Sequence, residues 1–227
     1  MKQSSAVKSL INAPYLLWSV LFIIAPMIMV VYYAFTDRNG DWTLANITAL
    51  GAYSQTFIRS IWYAFVATLI CLVLAYPLAY IMSRSSMSKQ RTIMMLVMLP
   101  MWMNFLIRTY AWMTILQDTG ILNTFLGRLG IGPFHIIGTQ SAVVIGMVYD
   151  YLPYMILPVY SVMAKLDVKL IEAAYDLGCN SLGVLRRVIF PLTVPGVISG
   201  ITMVLIPSVS TFYISQKLGS GKFFLIG

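Results

Sequence analysis

Residues 14–35 read PYLLWSVLFIIAPMIMVVYYAF, twenty-two in succession without a charged side chain. An α-helix needs about 20 apolar residues to cross roughly 30 Å of hydrocarbon, so this run reads as a membrane span. Four further stretches meet the same requirement: residues 60–83, 92–116, 141–164 and 192–215. Composition agrees, since 10% of the chain is charged, against about a quarter in a soluble domain. The third stretch contains Arg108 near one end and crosses if that side chain reaches back to the interface. The expected fold is all-α: one polytopic transmembrane bundle over residues 1–227, with five spans.

The net charge of +8 does not point to nucleic acid, because the basic residues form no stripe interleaved with aromatics. They lie in short loops, where Lys and Arg set membrane orientation. With the amino terminus inside, nine basic residues fall in inner segments and six in outer ones. The loop SRSSMSKQR carries three of them and no acid. This places the amino terminus and residues 165–191 in the cytoplasm and makes the chain a multi-pass membrane protein. The outer connections, 36–59 and 117–140, are read as holding short interfacial helices. The first span has no small-residue cleavage site after it and is read as retained.

Enzymatic signatures are missing. His135 is the sole histidine, which leaves no paired-histidine zinc site and no metal to propose. The string LGSGKFF resembles a phosphate loop, but Gln216 stands where its first glycine belongs and Phe223 replaces the magnesium-holding hydroxyl. Nothing calls for a cofactor, and any ATP hydrolysis belongs to a separate subunit. Cys71 and Cys179 sit in segments of different depth and are read as free thiols. No inverted repeat is visible, and five spans do not divide into equal halves, which argues against a self-contained secondary transporter.

Asp150 is the acidic residue well inside a span, about ten residues into the fourth and near mid-membrane at 1.5 Å per residue. A carboxylate there costs about 2.5–3.5 kcal/mol on insertion scales, so it faces either a neighbouring helix or a wet path. Tyr149, Tyr151 and Tyr154 surround it, and ring faces attract ammonium groups. These four are the candidates for a substrate pathway, with hydrogen bonding to a neighbouring helix as the alternative for Asp150. Arg108 and Tyr110 read either as interfacial anchors or as an outer gate. Prolines at 26, 77, 100, 153, 158, 195 and 207 each remove a backbone donor and bend a helix.

The segment IEAAYDLGCNSLGVLRRVIFPLTVPG is polar where the rest is apolar. Asp167 is placed to cap a helix with a stripe at Leu170, Ala173, Ala174 and Leu177. Gly178 allows the left-handed turn that ends it. Asn180 or Ser181 caps a second short helix that stops at Pro191. The sequence thus predicts a helix–turn–helix elbow over residues 165–191, lying on the inner leaflet or docked on a partner.

EAAYDLG, nine residues and then VIFP resembles the EAA loop of ABC-importer permeases. Glu172, Ala173, Ala174, Gly178 and Pro191 match that pattern outright, while Val188 and Phe190 stand in for its usual Ile and Leu. FLIRTYAWMTIL, GILNTFLGRLG and AVVIGMVYDYLPYMILPVYSVMAKLD further resemble the spermidine/putrescine-type, PotB-like branch. The resemblance implies a type I importer permease whose elbow docks on an ATP-binding subunit dimer. It also implies a second permease subunit, an extracellular or periplasmic substrate-binding protein and a polyamine cargo. Such permeases have one more span than the five counted here, so the resemblance implies a final span beyond Gly227. The alternatives are an importer of the family for another solute, such as an anion, or a stand-alone channel or secondary transporter.

Overall fold

The computed structural model describes residues 5–37, 39–221 and 225–226, with side chains from residue 12 onward. The chain divides into two units, Met1–Gln55 and Thr56–Gly227. In the first, α1 (Ser5–Ser19) passes through a π-helical turn, Val20–Ile24, into α2 (Ala25–Ala34). Pro26 accounts for the turn: it offers no N–H to the carbonyl four residues back, and a wider turn reassigns the bonds around it. The apolar part of this helix covers Asn12–Ala34. An antiparallel bridge between Thr36 and Trp42 follows, then the short helix α3 (Ala45–Ala49).

Helix α4 (Ser54–Ser83) leads into the second unit and shows how a membrane helix inverts the soluble pattern. Ala64, Ala67, Cys71, Ala75 and Ala79 form a fully buried stripe at helical spacing. Trp62, Phe65, Leu69, Val73 and Ile81 point outward and are exposed. Small residues let helices approach, and large apolar ones suit a lipid surround.

The third apolar stretch is not one straight helix. Helix α5 (Met87–Trp102) stops, and α6 (Phe105–Leu116) begins a stretch, Phe105–Arg128, that runs at 96° to it. Pro100 weakens the last turn of α5, Met103 is extended, and Asn104 starts the new helix by accepting a hydrogen bond from the Leu106 N–H at 2.8 Å. A short helix α7 (Ile121–Arg128) follows. Its Asn123 is buried, donating to the carbonyls of Gln117 and Phe134 and accepting from the Phe134 N–H.

Helices α8 (Gln140–Met163) and α11 (Phe190–Val209) share the most extensive helix–helix contact. Gly196 and Gly200 of α11 lie against Pro158, Val162 and Met155 of α8. Around this seam α4, α8 and α11 bury Cys71, Ala75, Ala79, Met155, Val159 and Val204 together. Two side-chain hydrogen bonds join helices near one end of the bundle: Tyr76 with Thr193 at 3.0 Å and Tyr160 to Gln90 at 2.7 Å. Helix α11 ends at Val209, and after a bend at 210–212 the chain forms α12 (Tyr213–Leu218), which packs on α6 and α8. The apolar run at 192–215 therefore divides between two elements.

Four helices among the described residues are long and apolar enough to cross a membrane, or five if the bent pair forms one span. Among the described residues there is no strand beyond the single bridge, so the expected all-helical membrane bundle is what forms. Cys71 is buried, Cys179 half-buried, and both are free thiols.

Candidate functional site

The polar segment folds as an elbow built from local signals. Asp167 accepts from the Lys169 N–H at 3.0 Å and starts α9 (Val168–Asp176). At the other end Gly178, at φ +80°, donates to the Tyr175 carbonyl, and the Cys179 N–H donates to that of Ala174. These two bonds form a Schellman motif, which satisfies the last carbonyls of the helix through one left-handed residue. Asn180 then accepts from the Gly183 N–H at 2.8 Å to begin α10 (Ser181–Val184). A π-helical turn, Leu185–Ile189, precedes Pro191 just as one precedes Pro26.

Ile171, Ala174, Val184 and Ile189 close a small apolar core inside the elbow, with Val188 and Tyr80 of α4 against it. The motif residues thus divide by role. Ala174 and Val188 face inward; Glu172, Ala173 and Pro191 are exposed; Phe190 is half-exposed, its ring 6.1 Å from that of Tyr76. Leu177 is 85% exposed and Leu182 70%, which leaves two large apolar side chains on the elbow's outer surface. A hollow of about 390 Å³ opens beside it, lined by Tyr76, Tyr80, Tyr175, Leu182 and Leu185 among others.

The second candidate centre lies midway along α8. Asp150 is 5% exposed, and Arg108 Nε of α6 stands 2.6 Å from its Oδ1. The contact is an ion pair without the alignment of a hydrogen bond. The guanidinium is held elsewhere too: Nη1 donates to the Pro100 carbonyl at 2.6 Å, at the bend between α5 and α6. Its Cζ lies 5.7 Å from the Phe105 ring centre and 5.8 Å from that of Tyr149. Tyr149 stacks edge-on with Trp112 at 5.0 Å. Tyr151 donates to the Pro207 carbonyl at 3.3 Å, and its ring sits 6.3 Å from that of Tyr154.

Arg108 and Asp150, separate candidates in the sequence, come together in the structure. Tyr149 enters the same cluster through Arg108, whereas Tyr110 stands apart. Tyr110 is exposed and, with Tyr213, faces the Lys217 ammonium at 5.3 and 5.8 Å. The hydrogen bond with Tyr110 holds the Lys217 pKa above its ordinary value, so this residue remains an ammonium. Phe105, Trp112 and Lys217 carried no sequence signal, since their partners are distant along the chain. Gly196 and Gly200 did carry one, a G-x-x-x-G spacing in an apolar helix.

The buried pair makes a direct prediction. Removing one partner leaves the other charge buried, at a cost of about 3–5 kcal/mol. Arg108→Gln and Asp150→Asn are each expected to lower the melting temperature in detergent, and the double variant to melt above both singles. Additive losses would show that the two side chains do not act as a pair.

A many-helix membrane subunit with a capped, surface-exposed elbow between two spans is the form of an importer permease. The family described as "Binding-protein-dependent transport system inner membrane component" matches residues 72–226, and the chain belongs to it. Among curated relatives, the spermidine/putrescine transport system permease protein PotB of Haemophilus influenzae is 41% identical, over 92% of this chain and 77% of the relative. The PotB of Escherichia coli strain K12 is 40% identical, over 92% of this chain and 80% of the relative. Among solved structures, a bacterial ABC transporter that imports the acidic polysaccharide alginate superposes with a TM-score of 0.65 at 19% identity, covering 90% of this chain and 72% of that one. That last likeness speaks for the fold.

Proposed function

We propose that this chain is a membrane-spanning subunit of an ATP-driven importer for polyamine cations of the spermidine/putrescine type. A substrate-binding protein delivers the cargo on the outer side. A second permease subunit completes the pathway, and a dimer of ATP-binding subunits drives it from the cytoplasm. The amino terminus lies in the cytoplasm, as do residues 165–191. The elbow residues Glu172, Ala173, Ala174, Gly178, Val188, Phe190 and Pro191 form or support the surface on which an ATP-binding subunit sits. The exposure of Leu177 and Leu182 supports this role, because large apolar side chains on a polar elbow suit burial against a partner.

The observation that carries the cargo assignment is Asp150, a carboxylate buried mid-span beside aromatic faces. The carboxylate and ring faces suit an ammonium, which competes there with the Arg108 guanidinium paired to Asp150. Tyr149, Tyr151 and Tyr154 line the path with it. Transport proceeds by alternating access, in which ATP binding closes the partner subunits and the elbow passes that motion to the bundle. Cargo biases the equilibrium only through unequal affinity for the two states. The test is uptake of radiolabelled spermidine by proteoliposomes holding the whole transporter. Asp150→Asn is expected to reduce uptake by about tenfold or more, the effect of a close charge pair. Undiminished uptake would take Asp150 out of the path.

A further inference from the structure

The geometry points to Arg108 as a built-in stand-in for the cargo: its guanidinium occupies the cation seat at Asp150 and must be displaced by a polyamine ammonium for transport to proceed. This rests on the polyamine reading above. The seat around Arg108 is what an ammonium would require. It has a carboxylate oxygen at 2.6 Å, a backbone carbonyl at 2.6 Å, and the faces of Phe105 and Tyr149 at 5.7 and 5.8 Å. Ring faces and carboxylates recognise ammonium and guanidinium alike.

Two details make the resident cation replaceable. Nε meets Oδ1 without hydrogen-bond alignment, so the strongest form of the Arg–carboxylate contact is not realised. The Pro100 carbonyl holds Nη1 at the bend between α5 and α6, which gives the guanidinium a second anchor when the carboxylate is taken. Movement of that bend and release of Asp150 are thereby linked. A similar arrangement recurs nearby, where Lys217 sits over Tyr110 and Tyr213, and the Tyr213 ring lies 5.5 Å from that of Phe105. Phe105 thus adjoins two neighbouring places at which the protein seats its own cation against an aromatic face, and a cargo with several ammonium groups suits two such seats. An empty transporter then carries no unpaired buried carboxylate and offers small cations no open site. Arg108 is in this sense a specificity-determining residue.

The experiment is equilibrium binding of radiolabelled spermidine to the whole transporter in nanodiscs, without its binding protein. Wild type is expected to bind weakly and Arg108→Gln at least about tenfold more tightly, because the competing charge is gone. The same variant should show a larger spermidine-dependent rise in melting temperature than wild type, since the ligand neutralises its unpaired Asp150. Arg108→Gln with Asp150→Asn should lose the gain. Affinity in Arg108→Gln no better than wild type overturns the inference. If that variant does not assemble, Arg108→Lys keeps the charge but loses the fork that also reaches Pro100. It should bind about threefold more tightly, and wild-type affinity there also overturns the inference. Uptake separates this outcome from failure of the cargo reading. Undiminished uptake in Asp150→Asn sinks the pathway itself. Lowered uptake there, with no gain in Arg108→Gln, sinks only the displacement.

Discussion

Gly178→Pro is expected to leave the chain inserted in the membrane while sharply lowering coupled uptake. Gly178 sits at φ +80° and its N–H donates to the Tyr175 carbonyl. Proline is locked near φ −65° and has no N–H, so it fails on both counts. The Schellman turn opens, α10 loses its place against α9, and the exposed face of the elbow is no longer one surface. Spermidine uptake driven by ATP should fall by about 5- to 150-fold, the scale expected when a coupling contact of about 1–3 kcal/mol is lost. Gly178→Ala makes the contrast. No atom lies within 4 Å of the Cβ it would add, so its cost is backbone strain of about 1–2 kcal/mol. It should retain most uptake. Normal coupled uptake in Gly178→Pro would remove the elbow from the coupling path.

Gly196→Leu is expected to damage the bundle itself. A Cβ on Gly196 would stand 2.9 Å from the Pro158 carbonyl oxygen and 2.9 Å from a Val162 methyl. Backbone cannot yield as a flexible side chain can, so α8 and α11 must separate. Overpacking of this kind costs about 1–3 kcal/mol, and here it falls on the most extensive helix contact. The melting temperature in detergent should drop by comparison with wild type. Gly200 offers a milder comparison, since the nearest atom to its added Cβ is the Met155 sulfur at 2.6 Å, on a side chain that adapts. Gly200→Ala should therefore be less harmful than Gly196→Ala, and the reverse order would refute the packing argument.

The fold was legible because lipid imposes a length and a polarity on every span, and those are written in consecutive residues. The elbow was legible for a related reason: its caps at Asp167 and Asn180 and its turn at Gly178 act over three or four residues. The interruption at 103–104 was harder, since Pro100 alone does not distinguish a kink from a break. The Asn104 cap decides it, and an asparagine in an apolar run has several uses. The Arg108–Asp150 pair lay beyond reach because periodicity says which face a residue occupies and nothing about which distant helix meets it. Arg108 looked like an interface residue because it is near the end of a run, yet the bend after α5 brings α6 against the middle of α8.

Besides the apolar packing that joins the helices, polar contacts of two chemical kinds fasten them. Beside the elbow, Tyr76 with Thr193 and Tyr160 with Gln90 are neutral clasps that neither salt nor a competing cation can prise apart. Midway along α8 the fastening is ionic, and a positive charge of the right shape can undo it. The two locks accept different keys: the elbow-side clasps yield only when helices are pulled, and the mid-bundle pair yields to a visitor of matching charge. In the importer proposed above, the pull of the elbow and the arrival of cargo act on different contacts within one coupled cycle.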